Sequence, residues 1–327
     1  MNNSGNIVKI VKVINWKNME VLNMGMKRLV TVISFMMIFL TLGCEKNQVI
    51  EEEFTTLSIG LMPAVDTAPI LMAEKEGFFE ELGLDVNIEI YSNASNRQSA
   101  LQSQTIDGAM TDFIAVATNV DGGFKIKATT MTDGIFPVLS TQEVIDKKEI
   151  KVGMMEVSVS NYLIDKWLSD RYEIEKVFIN EIPARLAAIA SGELDMGLFP
   201  EPVASNGEVQ GLIKTMYGQD DAYSPDCLVF TEKAITEKSE AVAKFHEAYN
   251  KAVKVINEDP TKVIDLLVEK IPNIAPEAKE LIVLPTYKEA ALPSEEYLQE
   301  IIDWTSETLN KSLSVKPLDL IDGQFIN

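Results

Sequence analysis

Short apolar runs alternate with helix-forming segments of about ten residues over residues 55–230. The runs at 57–62 and 126–131 are typical of buried strands, and the segments at 68–77 and 183–190 are typical of the helices that join strands. Strands that are separated by helices in this way usually pair in parallel. The pattern therefore predicts an α/β protein whose sheets are mainly parallel and flanked by helices.

The alternation forms two successive series, after which the chain is mainly helical. We therefore predict two lobes, each built on one sheet. Lobe 1 comprises residues 55–138 and 231–327, and lobe 2 comprises residues 139–230. Two segments, 135–141 and 224–231, are predicted to cross between the lobes, and such a pair of crossings can act as a hinge around a ligand.

Residues 24–44 have the order of an export signal: two basic residues, an apolar run at 29–42, then a small residue and Cys44. The run is shorter than the roughly 20 residues that span a bilayer. It resembles a bacterial lipoprotein signal, which implies cleavage before Cys44 and a lipid on that cysteine, although Thr41 stands where Leu is usual. An uncut N-terminal anchor is the alternative, and both place the rest of the chain outside the cytoplasm.

We accordingly expect residues 1–43 to be a signal peptide and the polar, acidic residues 44–54 to be a flexible tether. Residues 1–23 precede the basic start and do not resemble part of any signal. This favours a true start at Met24 or Met26, with the preceding residues a gene-model extension.

The formal net charge of −21 argues against nucleic acid as a partner, because such binding needs a basic surface. It also argues against general adsorption to anionic lipid and favours solubility. Cys227 is the only cysteine after Cys44, so a zinc cluster of cysteines is excluded. We predict no cofactor, no metal ion and no catalytic residue.

Several stretches together resemble one protein family. Residues 71–86 contain a helix, Gly-Phe-Phe, then Gly-Leu before a strand, and residues 100–109 end in Ile-Asp-Gly-Ala, with Gln104 where Gly is usual. Residues 189–202 repeat that arrangement and end in Glu-Pro, and Trp304 lies in a late helix. Their order resembles the extracytoplasmic solute-binding proteins of ABC importers, within the family that serves nitrate, sulfonates and thiamine-precursor pyrimidines.

The resemblance implies a two-lobed periplasmic-binding-protein fold of type II that closes on a small molecule. It also implies docking of the loaded protein on an ABC permease with its ATPase subunits. The expected partners are therefore a small-molecule solute, the permease and ATPase, and the membrane through the lipid on Cys44. We expect a monomer on the extracytoplasmic face, with no nucleic-acid partner.

Ligands of open α/β sheets bind beyond the carboxyl ends of strands, where helix N-termini present free N–H groups. The resemblance points to the same loops. The candidate ligand-binding residues in these loops are Asp66, Thr67, Ser92, Asn93, Ser95, Thr111, Asp112, Phe113, Ser158, Ser160, Asn161, Tyr162 and Glu201.

Each candidate also has a purely structural interpretation. Four of them equally suit helix N-caps: Asp66, Ser95, Asp112 and Ser158. Phe113 and Tyr162 suit the core, and Glu201 suits a residue that positions the Glu-Pro turn. Arg97 is the one cation near these loops; a solvated residue in the first helical turn is favoured over a partner for a ligand anion. Phe136 lies near a crossing and suits hinge packing.

The carboxylates carry information about the ligand. Asp66, Asp112 and Glu201 would gather negative charge in the cleft, which favours an amine-bearing, pyrimidine-like solute. Aromatic side chains would stack on its ring. A sulfonate or nitrate remains the alternative, and its binding would require helix dipoles and Arg97 to outweigh the carboxylates.

An enzyme is a second class of function, because enzymes of thiamine-pyrimidine and menaquinone synthesis share the implied fold. The only histidine, His246, is predicted to lie on the surface of a helix at 237–257, away from the loops. The cysteine-rich iron-binding segment of the pyrimidine synthase is absent from the sequence. The sequence therefore favours a binding protein, with a receptor that presents its ligand to a sensor as a third possibility.

Overall fold

The computed structural model describes most of the chain after the predicted tether. The described residues are 55–141, 144, 147–218, 221 and 224–326. The predicted signal peptide (1–43), the predicted lipidation site Cys44 and the predicted tether (44–54) lie outside them.

Ten strands within the described residues form two five-stranded sheets. The strands are β1 (Thr55–Leu61), β2 (Leu84–Ile90), β3 (Gly108–Asp112), β4 (Ile126–Met131), β5 (Val138–Ser140), β6 (Glu149–Met154), β7 (Glu173–Phe178), β8 (Met196–Leu198), β9 (Ile213–Thr215) and β10 (Asp226–Thr231). The first sheet has the order β2-β1-β3-β10-β4 and the second β7-β6-β8-β5-β9. In the first sheet β10 runs antiparallel to both neighbours, and in the second β5 does, whereas the other pairs are parallel. The two sheets thus share one topology, and the predicted two-lobed α/β class is confirmed.

Helices flank the sheets and supply most of the C-terminal part. The α-helices of the described residues are α1 (Ala68–Lys75), α2 (Phe78–Glu81), α3 (Ala94–Gln102), α4 (Phe113–Asp121), α5 (Val159–Leu168), α6 (Ile182–Ala190), α7 (Val203–Val209), α8 (Glu232–Glu237), α9 (Ser239–Glu258), α10 (Thr261–Lys270) and α11 (Glu295–Thr308). Short 3-10 helices lie at Val65–Thr67, Pro276–Glu280 and Pro317–Asp319. None of the helices in the described part of the chain has the length and apolar character needed to cross a bilayer.

Strand β10 joins the first sheet, although the chain reaches it from the second. It pairs with β3 and β4 along its whole length, and all six of its residues are buried. The predicted boundary had placed residues 226–230 in lobe 2, and the structure moves them to lobe 1. The apolar run identifies a buried strand, but only the pairing decides which sheet receives it. The two crossings consequently lie between β4 and β5, at residues 132–137, and between β9 and β10.

One hydrophobic cluster extends across both sheets. It includes Phe113 and Val229 from the first sheet's side and Val152 and Ile164 from the second. Two further clusters lie within lobe 1 and lobe 2 respectively. The lobes therefore pack against each other along the side of α4 and α11, which sets the geometry of the space between the sheets.

The predicted surface position of His246 is wrong. Its side chain is only 1% exposed and stacks on the ring of Phe325. Nδ1 lies 2.8 Å from the carbonyl oxygen of Val242, which can only accept, so Nδ1 carries the proton. Nε2 is then left to accept from the hydroxyl of Thr129 at 2.9 Å. The signal was present in the sequence, because His246 follows Val242 by four residues and therefore lies on the apolar face of α9.

Burial lowers the pKa of His246 to about 4, so the folded protein resists protonation there. The unfolded chain takes up the proton near pH 6.5. The contribution of His246 to stability is therefore complete above pH 6.5 and is lost as the pH falls towards 4, by up to about 3 kcal/mol. We expect H246Q, which cannot be protonated, to lack this loss. Urea unfolding of both proteins between pH 4 and 7.5 measures it, and a difference in unfolding free energy that is constant with pH would contradict the assignment.

Candidate functional site

Acidic side chains meet at one edge of the first sheet. This edge contains the carboxyl ends of β1, β3 and β4 together with the first residue of the antiparallel strand β10. The register pairs Asp226 of β10 directly with Asp112 of β3. Directly paired residues project to the same face of a sheet, so these two carboxyl groups are neighbours. Asp66, in the 3-10 turn after β1, completes the group.

The crossing segment at residues 132–137 passes very close to one of these carboxyl groups, that of Asp226. A Cβ atom at Gly134 would collide with the Asp226 carboxylate and lie 2.6 Å from the ring of Phe136. Glycine at this position therefore lets the crossing pass close to the acidic group. The hydroxyl of Ser224 donates to the same carboxylate at 2.6 Å.

The acidic edge opens into a cavity between the two sheets. Both lobes line it, and most of the lining is apolar. Among the residues of lobe 1 that line it are Met62, Asp66, Arg97, Asp112, Phe136 and Asp226. Those of lobe 2 include Met155, Ser160, Arg185 and Leu198. A cleft of this kind, with apolar walls and a few polar groups, is typical of small-molecule sites.

Four of the predicted site residues line this cavity. They are Asp66, Thr111, Asp112 and Ser160. Ser92 lies in a second cavity that shares Ile182 with the first. A ligand-binding role for every residue of the predicted set stays a prediction.

The remaining predicted residues do not line the first cavity. The carboxylate of Glu201 accepts from the hydroxyl of Ser205 and pairs with Lys214 at 3.0 Å. Tyr162 donates to Glu300 at 2.6 Å, and Phe113 is fully buried in the core. These three side chains have structural partners that account for their positions.

Four further polar candidates also have hydrogen-bond partners within the protein: Thr67, Asn93, Ser158 and Asn161. The hydroxyl of Thr67 donates to the Ala64 carbonyl at 2.7 Å, and the amide of Asn161 donates to the Glu156 carbonyl at 2.6 Å. The Ser158 hydroxyl lies 2.7 Å from that of Ser160, which connects it to the cavity wall.

Two of the four predicted helix caps are confirmed. Asp112 caps α4 by accepting from the N–H of Ala115 at 2.7 Å, and Ser158 caps α5 by accepting from the N–H of Ser160 at 3.2 Å. The cap of α3 is Asn93, whereas Ser95 is exposed. Asp66 caps no helix, because its carboxylate accepts from the hydroxyl of Thr132 at 2.7 Å. Asp66 does not cap a helix, and its side chain lines the cavity instead.

The two lobes touch at several points around the cavity. The second carboxylate oxygen of Asp112 lies 3.3 Å from the N–H of Val159, at the start of α5. The amide of Asn93 donates to the carboxylate of Glu181 at 2.7 Å. On another side, the N–H of Val65 donates to the carbonyl of Glu201 at 2.7 Å. The lobes are thus drawn together around the space that a ligand would occupy.

Burial dominates the electrostatics of the acidic group. It raises the pKa of Asp66 to about 6, against the opposing effect of the hydrogen bond from Thr132. It also raises the pKa of Asp226 well above its ordinary value, and the neighbouring charge of Asp66 raises it further. The pKa of Asp112 is raised by burial as well, although the N–H of Ala115 and the charge of Arg97 counteract this. Carboxyls this buried favour a partner that can donate hydrogen bonds or carry positive charge.

The predicted solvated position of Arg97 is wrong. The residue is 4% exposed, donates from Nη2 to the hydroxyl of Thr111 at 2.9 Å and lines the cavity. It lies on the inner face of α3, in the turn after the cap, and burial lowers its pKa. The predicted cap at Ser95 had displaced the start of the helix, which hid this orientation.

Arg185 and Asp226 were missed altogether. Arg185 is the only charged residue of α6, whose other positions are apolar or proline, and it is 2% exposed. A lone arginine in an otherwise apolar helix was the signal that could have identified it. Asp226 immediately precedes a buried run, and its position at the edge that lines the cavity depends on β10 joining the first sheet.

Among the described residues, no group of three or more histidine, cysteine or acidic side chains has a geometry that could hold a metal ion.

A protein-family model described as NMT1/THI5 like matches residues 64–263, which is more than half of the chain. The chain belongs to the NMT1/THI5-like family. A curated relative, the putative binding protein YtlA of Bacillus subtilis (strain 168), is 26% identical over 267 residues, which cover 76% of this chain and 79% of YtlA.

Solved structures share the two-lobed fold of this NMT1/THI5-like protein. The ligand-binding component of an ABC-type import system from Staphylococcus aureus, solved with zinc bound, has a TM-score of 0.69 at 17% identity, over 83% of this chain and 97% of that one. The alkanesulfonate-binding protein SsuA from Xanthomonas axonopodis pv. citri, bound to MOPS, has a TM-score of 0.62 at 16% identity, over 78% and 91%. The nitrate-binding protein NrtA from Synechocystis PCC 6803 has a TM-score of 0.63 at 12% identity, over 83% and 92%. At these identities the likeness establishes the fold.

The raised pKa of Asp66 predicts that this residue costs the empty protein stability. Its charged form is disfavoured in the folded state, so its effect on stability is most favourable below pH 3.8 and worsens as the pH rises through about 6. We expect D66N to increase the free energy of unfolding at pH 8 by up to about 3 kcal/mol and to change it little at pH 4.

Urea unfolding of the ligand-free protein at both pH values measures this effect. The exposed Asp170 offers a matched control, because D170N changes the same functional group at the surface. Its effect should stay within about 0.5 kcal/mol at both pH values. A D66N protein that is no more stable than the wild type at pH 8 would show that Asp66 is not strained by its burial.

Proposed function

We propose that this chain is the solute-binding protein of an ABC importer, held on the extracytoplasmic face of the membrane by a lipid on Cys44. We further propose that it captures a small, amine-bearing organic solute, such as a pyrimidine, and delivers it to a permease. Membership of the NMT1/THI5-like family and the fold shared with import-system binding proteins support the transport role.

One observation carries the choice of solute: three buried carboxyl groups lie on the lobe 1 side of a cavity between the lobes. An amine or amidine that donates to Asp66 and Asp226 would stabilise their charged forms and offset the cost of their burial. Phe136 and methionines such as Met62 and Met155 offer apolar surface for a flat ring. The site therefore suits a heterocycle with an exocyclic amine better than a simple anion.

Binding by this arrangement would favour the closed form. The acidic group belongs to lobe 1, whereas Met155, Ser160 and Arg185 belong to lobe 2 and reach the same cavity. A solute in the open protein would contact only one of these sets. Because the contacts of the second set are gained on closure, the solute has a higher affinity for the closed form and shifts the population towards it.

We propose binding without chemical conversion of the solute. The only histidine of the sequence is enclosed in lobe 1, where both ring nitrogens have partners, and it does not line the cavity. Burial keeps it neutral, since its pKa is lowered to about 4. A histidine held in this way is not positioned to act as a general base in the cavity.

Mass spectrometry of small molecules that copurify with the folded protein tests the proposal directly. A thermal-shift screen of aminopyrimidines, alkanesulfonates and nitrate complements it. We expect aminopyrimidines or related amines to raise the melting temperature, and small-angle scattering at saturation to show compaction. Stabilisation by nitrate or simple sulfonates alone would contradict the choice of solute, and turnover of a bound compound would contradict the binding role.

The affinity for an amine-bearing solute should depend on pH through Asp66. Because the pKa of Asp66 is about 6, its carboxylate becomes protonated below that pH, and a protonated amine then loses its partner. We expect the dissociation constant to rise about tenfold between pH 7 and pH 5, while D66N binds weakly with little pH dependence. Calorimetric titration over this range measures it, and an affinity that improves on acidification would point to a different ligand group.

A further inference from the structure

Two arginines in the cavity wall have unused hydrogen-bonding capacity. Arg97 and Arg185 are 4% and 2% exposed, and the Nε atom of each is buried without a hydrogen-bond partner. Buried polar groups normally have partners, because an unpaired donor that has lost its water costs about 1–3 kcal/mol. Both side chains line the same cavity, so a ligand group can reach them there.

The two arginines differ in their electrostatic surroundings. Arg97 lies close to Asp112, whose charge raises the pKa of the guanidinium against the larger, opposing effect of burial. The same attraction lowers the pKa of Asp112. The charge of Arg97 also lowers the pKa of Asp66 and of Asp226, but less strongly. One guanidinium is therefore shared among three carboxyl groups, and Asp66 and Asp226 are only partly compensated.

Arg185 has no such compensation within the described residues. Its Nη1 donates to the carbonyl of Ile179 at 3.1 Å, and its guanidinium lies 5.5 Å from the ring centre of Phe199. Burial alone lowers its pKa to about 10, with no contribution from an acidic neighbour, so the side chain is still charged at neutral pH. An uncompensated buried charge is costly, and it commonly marks a position where a ligand supplies the opposite charge.

The unbalanced charges lie on opposite lobes. Asp66 and Asp226 belong to lobe 1, and Arg185 lies on α6 of lobe 2. A solute that carries only an amine would leave Arg185 unpaired, and a solute that carries only an anion would leave the two acids unpaired. Repulsion between Asp66 and Asp226 disfavours a full negative charge on both carboxyl groups. Their combined negative charge is therefore closer in size to the single positive charge of Arg185.

We propose that the solute is amphoteric: a small organic molecule with an amine that binds Asp66 and Asp226 and an anionic group that binds Arg185. The anionic group is a carboxylate, sulfonate or phosphonate, since each matches the planar donors of a guanidinium. This inference rests on the proposed function and adds a second pole to the solute. The pairing with Arg185 forms only when lobe 2 closes, so the anionic group supplies part of the free energy of closure.

Matched sets of compounds test the inference by calorimetry on the full-length protein. The first set contains ω-aminoalkanesulfonates and ω-aminocarboxylates of increasing chain length, with the corresponding alkylamines and alkanesulfonates. The second contains 4-aminopyrimidines with and without a carboxylate on the ring. We expect the best amphoteric compound to bind at least about tenfold more tightly than the analogue that lacks either charged group.

Substitutions of Arg185 assign the anionic pole. R185Q should weaken binding of the best amphoteric compound by about tenfold or more and leave binding of the matched amine within about twofold. R185K retains the positive charge, so it should recover part of the affinity that R185Q loses. The exposed Arg171 lies in the same lobe, so R171Q is the matched control and should bind like the wild type. Circular dichroism and the melting temperature of each variant verify folding.

The outcomes separate the two levels of the argument. An amine that binds as tightly as its amphoteric counterpart overturns the second pole but leaves the proposed solute-binding function standing. A folded R185Q protein that binds amphoteric compounds like the wild type also overturns it and assigns Arg185 to packing on Phe199. An absence of binding by every compound, with none copurifying, overturns the amphoteric solute together with the proposed function.

Discussion

The burial of Asp66 and Asp226 at one edge of the first sheet is the constraint on which the rest of the site depends. Carboxyl groups removed from water need hydrogen-bond donors or positive charge nearby. The protein supplies only part of this, through the hydroxyls of Thr132 and Ser224 and through the charge of Arg97, which Asp112 shares. The crossing at Gly134 passes close to the carboxylate of Asp226. The proposed solute provides the remaining hydrogen-bond donors and positive charge that these carboxyl groups need.

The two lobes contribute different chemistry to the same cavity. Lobe 1 holds the acids at strand ends, where backbone geometry fixes them, while lobe 2 contributes Arg185 from a helix and apolar side chains such as Met155. In the proposed mode of binding, the amine of the solute contacts the acids of lobe 1 and its anionic group contacts Arg185. This division connects recognition to closure, because the contact with Arg185 forms only when lobe 2 closes. It also implies that the empty protein holds charges whose burial costs stability, as is common where binding sites are preorganised.

Local patterns predicted much of the fold. The apolar runs gave most strands, since a buried strand needs only a short apolar stretch between turns. The caps at Asp112 and Ser158 were predicted because a cap depends on residues within one turn. Two short elements were not predicted. Strand β5 has only three residues, and helix α7 contains Ser, Asn and Gly, which favour helices weakly. Four of the predicted site residues, Asp66 among them, line the cavity, and their role in ligand binding stays a prediction.

The sequence by itself determined the α/β class, the two series of strands and helices, and the acidic character of the loops at the strand ends, because these follow from periodicity and residue type. Only the tertiary structure decided which polar side chains are buried together. It placed β10 in the first sheet and so brought Asp226 beside Asp112. It turned Arg97 and Arg185 towards the cavity and enclosed His246 in the core. Burial depends on contacts between residues far apart in the chain, and a local pattern carries no information about which distant segments will cover a side chain.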